Sequence, residues 1–90
     1  MSARYPKAAE PPFYLGVSLL YLHRPEEAAA ALEAARALKP EALKEDVEWY
    51  LGVAWEGSGK RQQAASVLEP LCGREGPYRE RACDGLRWLR

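Results

Sequence analysis

The sequence predicts an all-α fold in which about five helices form stacked hairpins. The first observation behind this prediction is an internal repeat at a spacing of 36 residues, as from Leu15 to Leu51. The second is a Leu-Gly pair followed by a ladder of small residues and leucines, which is typical of helical hairpins. The third is that prolines and glycines bound each candidate helix. The matching residues are Leu15, Gly16, Ala28, Leu32, Ala35 and Pro40 in one copy and Leu51, Gly52, Ala64, Leu68, Leu71 and Gly76 in the other.

The first hairpin is predicted as two helices joined by a short turn. A pair of prolines ending at Pro12 closes the N-terminal segment, and a helix is predicted over residues 12–22, because proline is tolerated in the first helical turn. The second helix is predicted over residues 25–38. Pro25 takes its first position, and the two glutamates that follow complement the positive end of the helix dipole. Pro40 stops this helix.

The second hairpin and a final helix follow. A helix is predicted over residues 42–56, and the glycine-rich stretch 57–59 ends it. The next helix is predicted over residues 60–72, with a kink or an early end at Pro70, because the proline ring clashes with the preceding turn. After a loop, the last helix is predicted over residues 78–89.

These elements define one small domain preceded by an arm. In the last helix Arg87 falls where the earlier copy has Gly52, which indicates a terminal cap with no further hairpin to accommodate. The predicted bounds are an arm over 1–11 and a domain over 12–90, which contains repeat one at about 11–42, repeat two at about 43–76 and the capping helix at about 78–89.

Composition excludes several classes of partner. The chain carries 13 basic and 13 acidic side chains, so neither nucleic acid nor an anionic membrane is an expected partner. No secretory signal or membrane-spanning segment is recognised, so we expect a cytoplasmic protein. Ile, Asn and Thr are absent, which suggests a GC-rich bacterial genome and is compatible with a thermophilic one.

Chemistry-bearing residues are few. Cys72 and Cys83 are the only cysteines, and we expect them to be buried free thiols, with a bridge between neighbouring helices as the alternative. His23 is the only histidine and is expected in an exposed turn. No metal-ligand set, catalytic constellation or phosphate-binding loop is found, so we predict no catalytic residue, no metal, no cofactor and no small-molecule substrate.

With these residues in view, the chain resembles the tetratricopeptide repeat (TPR) family, whose unit is a hairpin of about 34 residues. The resemblance covers about residues 11–90 and implies a right-handed solenoid of two repeats plus a cap. The bulky aromatic residue of the family's motif is shifted by one place in both copies, to Phe13 and Trp49. Related hairpin repeats such as the Sel1-like group are the alternative. Beyond the ladder already given, the motif residues are Tyr14 and Leu19 in the first copy and Tyr50 and Trp55 in the second.

The resemblance implies a scaffold that docks a protein or peptide along the concave face formed by the first helix of each repeat. The pattern of lysine and asparagine that clamps a peptide carboxylate in chaperone-binding relatives is missing, so chaperone binding is not predicted. Carried over by motif position, the expected partner-binding residues are Phe13, Val17, Leu20, Tyr21, Trp49, Val53, Glu56 and Trp88, with Glu10, Asp46, Arg81 and Asp84 completing the face.

The first helix is apolar around nearly its whole circumference, since only Gly16 and Ser18 interrupt residues 13–22. Leu15 and Leu19 are expected to pack inward. Three coverings of the remaining apolar surface stay open at this point: the N-terminal arm folded across the groove, a second copy of the chain, or an apolar peptide or helix. A structural homo-oligomerisation segment or a regulatory segment of a larger bacterial protein, without a free peptide groove, is the alternative function.

Overall fold

The computed structural model describes residues 9–89 and contains five α-helices and no β-strand in that range, which confirms the all-α prediction. Consecutive helices pack against each other along the chain, and α1 also contacts α3, as expected for stacked hairpins. The handedness of the stack stays a prediction. The helices are α1 (Glu10–Tyr21), α2 (Pro25–Ala37), α3 (Lys44–Gly57), α4 (Arg61–Gly73) and α5 (Arg79–Leu89).

The helix bounds follow the repeat. α2 and α4 each have 13 residues, and a shift of 36 residues places one on the other. α1 differs from the prediction, because it begins at Glu10 and carries both prolines in its first turn, where a missing N–H costs no intrahelical hydrogen bond. The predicted helix start at residue 12 is therefore two residues too late, and Ala9 is already buried. Residues 1–8 of the predicted arm, and its proposed fold across the groove, lie outside the described residues.

α1 and α3 end in the same backbone motif. His23 after α1 has φ 61° and Gly59 after α3 has φ 80°, so both residues adopt the left-handed conformation. In each case two N–H groups turn back onto the last helical turn. After α1, His23 donates to the Leu20 carbonyl (3.0 Å) and Arg24 to the Leu19 carbonyl (2.9 Å); after α3, Gly59 donates to the Glu56 carbonyl (3.1 Å) and Lys60 to the Trp55 carbonyl (2.8 Å). This is the Schellman arrangement, which satisfies the free carbonyls of a helix end. His23 is exposed, in agreement with its predicted turn position.

Pro70 does not end α4, which continues to Gly73. The prediction of an early end is wrong because solvent reaches this side of the helix. Proline removes the hydrogen bond to the carbonyl four residues earlier, at Ser66, and both residues lie on the exposed side of the helix. Water can supply the missing donor there, so the helix tolerates the proline.

The core is a column of leucines and alanines between the helices. The glycine of each Leu-Gly pair allows the two helices of a hairpin to approach closely. A Cβ atom on Gly16 would lie 2.5 Å from Leu32 Cγ, and one on Gly52 would lie 2.9 Å from Leu68 Cδ2. Both glycines therefore admit the second helix of their own hairpin. The largest side chains with essentially no exposure are Leu32, Leu51, Leu71 and Val47.

Leu15 and Leu51 occupy equivalent positions in the two repeats but lie in opposite environments. Leu51 is 0% exposed, whereas Leu15 is 54% exposed. The expectation that Leu15 packs inward is wrong because α3 packs against the preceding helix α2, while no helix precedes α1 in the described residues.

Cys72 and Cys83 form a disulfide, with their Cα atoms 4.8 Å apart. The expectation of free thiols is therefore wrong, and the bridge that the helix assignment left open is present. It joins the end of α4 to the middle of α5 across the intervening loop. The cap is thus attached to the second hairpin covalently as well as by packing.

Candidate interaction surface

The predicted concave face, here called the first-helix face, is only partly exposed. Tyr21 is 79% exposed and Trp88 is 82% exposed, and Glu56 is exposed too. Val17, Leu20, Trp49 and Val53 are half-buried. Phe13 is buried, so it contributes to the core beneath this face more than to its surface. The apolar surface that this face offers to solvent is consequently concentrated in Tyr21 and Trp88, on α1 and α5.

Phe13 and its neighbours link the two hairpins. The ring of Phe13 meets the ring of Tyr50 edge-on, with centroids 5.8 Å apart, and it also contacts Tyr14 at 5.4 Å. Edge-to-face pairs of this kind add about 0.5–1.5 kcal/mol beyond the burial of area. In the first copy, the aromatic residue of the repeat motif, Phe13, therefore packs one repeat against the other.

In the second copy, Trp49 is covered by a residue that sequence reasoning did not select. The ring of Tyr78 stacks on Trp49 with centroids 5.7 Å apart and an interplanar angle of 15°. The Tyr78 hydroxyl donates a hydrogen bond to Asp46 Oδ1, and the Arg81 guanidinium lies 5.9 Å above the Tyr78 ring. Burial, and then the hydrogen bond to Asp46, raise the pKa of Tyr78. This cluster holds α3 and the start of α5 together.

The cluster brings together three of the residues predicted for the first-helix face, namely Trp49, Asp46 and Arg81, and adds Tyr78 to them. The only sequence signal for Tyr78 was an aromatic residue at the start of the predicted capping helix. Because Tyr78 stacks on Trp49 and its hydroxyl is bonded to Asp46, Trp49 is only partly exposed in this part of the face.

A second surface emerges from the exposure pattern of α1, and we call it the α1 stripe. Its members recur at helical spacing along one side of the helix and its C-terminal cap, all are exposed, and none carries a charge. The exposed sides of α2, α4 and α5 all include charged residues, as with Glu33, Glu69 and Arg87. Sequence reasoning recognised the apolar circumference of α1 but could not separate this side from the buried one. The α1 stripe consists of Pro11, Tyr14, Leu15, Ser18, Tyr21 and Leu22.

Several open depressions occur on the described part of the chain, and the largest of them includes Asp84 of the first-helix face. One of about 660 Å³ is bordered by the loop before α5 and by charged residues of that helix, including Glu80 and Arg87. Another of about 370 Å³ lies between the end of α2 and the start of α3, beside Glu48, whose buried Oε1 has no hydrogen-bond partner. Within residues 9–89, no group of three or more His, Cys, Asp or Glu side chains is placed to hold a metal ion.

None of the helices between residues 9 and 89 combines the length and the apolar character needed to cross a bilayer. Comparison with protein-family models, with curated proteins and with solved structures gave no match. The likeness to TPR repeats therefore depends on this chain's own residues.

Proposed function

We propose that this chain is a protein-interaction module of the TPR type, which acts by docking a protein or peptide and performs no chemistry of its own. The observation that carries the proposal is the α1 stripe. Four of the six large apolar side chains that residues 9–89 leave exposed lie on α1 or its cap, namely Tyr14, Leu15, Tyr21 and Leu22. A concentration of this kind generally marks an interaction surface.

The energetic argument supports docking. Fully burying a leucine or a comparably large apolar side chain is favourable by about 1.5–3 kcal/mol, so four such groups left in water represent a substantial unused stabilisation. Each is at least half exposed. A partner that covers them gains most of that term without any rearrangement of the hairpin.

The first-helix face is the second candidate surface, and Trp88 favours it. Tryptophan is enriched among binding hot spots, and Trp88 is almost fully exposed on α5. A peptide lying across α1, α3 and α5 would contact Tyr21, Val53 and Trp88. This is the docking mode that the family resemblance implies.

A cytoplasmic location belongs to the same proposal, and the disulfide constrains it. Disulfides persist in oxidising compartments and in the intracellular proteins of hyperthermophiles, but they are rare in other cytosols. The bond between Cys72 and Cys83 therefore fits a cytoplasmic protein only with the thermophilic origin that the composition allows.

The test is a displayed peptide library panned against the immobilised chain, followed by titration of the selected peptides with a fluorescent label. We expect apolar helical peptides to be enriched. Leu15→Glu and Trp49→Ala then assign the surface, since one should weaken binding at least about tenfold while the other leaves it unchanged. Ala34→Glu, which places the same charge on the exposed side of α2, is the control. No enrichment, or binding that survives both variants, would contradict the proposal.

A further inference from the structure

Half of the α1 stripe has a buried counterpart in the second repeat. A shift of 36 residues places Pro11, Leu15 and Ser18 on Val47, Leu51 and Ala54. All three of these α3 residues are at most 1% exposed. α3 packs against the hairpin before it, whereas the described residues before α1 provide no helix. Among the described residues, these three positions of the stripe therefore have the pattern of a helix-packing contact without a partner helix, while the counterparts of Tyr14, Tyr21 and Leu22 are half-buried or exposed.

We propose that a second copy of this chain covers the α1 stripe, through a two-fold contact in which the same stripe serves both chains. This inference rests on the proposed function and names the partner for one of its two surfaces. Three features of the molecule favour a second copy over another occupant.

The first feature is charge. No member of the stripe is charged, and the only charged residue of α1, Glu10, is half-buried outside it. Two stripes can therefore approach without repulsion and without desolvating an ion, which would cost far more than apolar contact gains. A charged partner segment would find nothing on this surface to pair with.

The second feature is the opposite end of the stack. The exposed residues of α5 are almost all charged, with Arg79, Glu80, Asp84 and Arg87 among them. A head-to-tail arrangement would press this charged cap against the apolar stripe and would continue into a filament. A two-fold contact avoids both, because it buries the stripe on each chain and closes the assembly.

The third feature concerns the residues numbered 1–8, which are the nearest segment of this chain. They include two cations, Arg4 and Lys7, and only Met1 and Tyr5 as large apolar side chains. That is too little apolar surface to replace a packed helix over four large exposed groups. A second α1, by contrast, offers the same number of groups at the same spacing.

Size and geometry set the expected strength. A standard interface buries about 800 Å² per partner, and a tyrosine contributes about 150–250 Å² when it is covered. The two tyrosines and two leucines of the stripe are already partly buried, so the stripe falls below that standard area. We therefore expect a dissociation constant weaker than micromolar, on the order of tens of micromolar. Ser18 at the centre of the stripe is small, which allows the two helix backbones to approach closely.

The experiment is light scattering on a sizing column and sedimentation equilibrium, with the full chain between about 1 and 500 µM, a range that brackets the expected constant. We expect the mass to rise from monomer to dimer and to stop there. Leu15→Glu should remain monomeric at every concentration, and Ala34→Glu should dimerise as the parent does. A parent that stays monomeric, or a dimer that Leu15→Glu leaves intact, would overturn the inference. Circular dichroism of each variant checks that it is folded.

The two-fold arrangement has its own test. Cysteine at the centre of the stripe, in Ser18→Cys, should lie near its copy and form an intermolecular disulfide on mild oxidation, because a two-fold axis brings equivalent residues together. Glu33→Cys, exposed on α2, should cross-link far less and controls for exchange with the native bridge. Absence of a preferential Ser18→Cys cross-link would overturn the two-fold contact. If peptides bind the stripe while the parent is monomeric, the proposed function stands and only the second copy is wrong.

Discussion

Leu15 and Leu51 offer a matched pair of substitutions that measures how far position in the repeat array, rather than residue identity, determines stability. Both are leucines, both precede the helix glycine, and they lie 36 residues apart. Leu51 is 0% exposed and Leu15 is 54% exposed. Leu51→Ala should destabilise the fold strongly, and Leu15→Ala should do so only slightly.

The magnitudes follow from burial. Truncating a fully buried leucine to alanine costs about 2–5 kcal/mol, because the lost transfer free energy is joined by a cavity that the neighbours do not fill. Leu15 is about half exposed in the folded chain, so its truncation removes less buried surface, and water can enter the space that it leaves. Its cost should be about 0.5–1 kcal/mol. For a chain of this length, 1 kcal/mol moves Tm by about 4–8 °C.

The assay is urea unfolding followed by far-ultraviolet circular dichroism, at about 1 µM protein so that association does not contribute. The slope of free energy against urea should be the same for both variants, and only the midpoint should move. Equal losses for the two variants at this dilution would refute the reasoning, because they would mean that Leu15 is covered within the monomer. A loss for Leu15→Ala that grows with protein concentration would instead report the second copy.

Three further substitutions or treatments test the packing, the turn and the bridge. Gly16→Ala should lower the free energy of unfolding by about 0.5–2 kcal/mol in the same assay, since overpacking against the second helix outweighs the gain in helix propensity. Gly73→Ala is the control: no atom lies within 4 Å of its new Cβ, so it should change little. His23→Gly should raise the free energy of unfolding by about 1 kcal/mol, and with it the urea midpoint, because glycine adopts φ 61° without the penalty of a side chain. A lower midpoint would contradict the left-handed turn. Reduction of the bond between Cys72 and Cys83, separated by 11 residues, should cost somewhat under about 3 kcal/mol, and identical urea curves with and without reductant would show that the bridge does not form.

The sequence predicted helices well where the signal is local. Pro25 and the residues that follow it determine the start of α2, and the observed helix ends within one residue of its prediction. The glycine-rich stretch after α3 likewise ends that helix, at Gly57, through a backbone motif that needs only its own residues. Local chemistry of this type can be read from the chain without knowledge of its neighbours.

The errors arise where the outcome depends on solvent or on contacts distant in sequence. Pro70 breaks a hydrogen bond, but whether the helix ends there depends on whether water reaches the free carbonyl, which no local pattern reports. The bridge between Cys72 and Cys83 depends on the distance between two helices. Tyr78 was not selected because its role arises from Asp46 and Trp49, which belong to another helix.

The error at Leu15 differs from these, because the sequence-based expectation describes a burial that the described residues 9–89 do not provide. The repeat pattern assigns Leu15 to a buried position, as it correctly does for Leu51. Natural sequences are usually consistent between pattern and environment, and departures from that consistency concentrate at functional sites. A residue whose pattern specifies burial and whose surroundings leave it in water therefore marks a contact that another surface completes. By this reasoning the α1 stripe, rather than the groove across the first helices, is where association should first be sought.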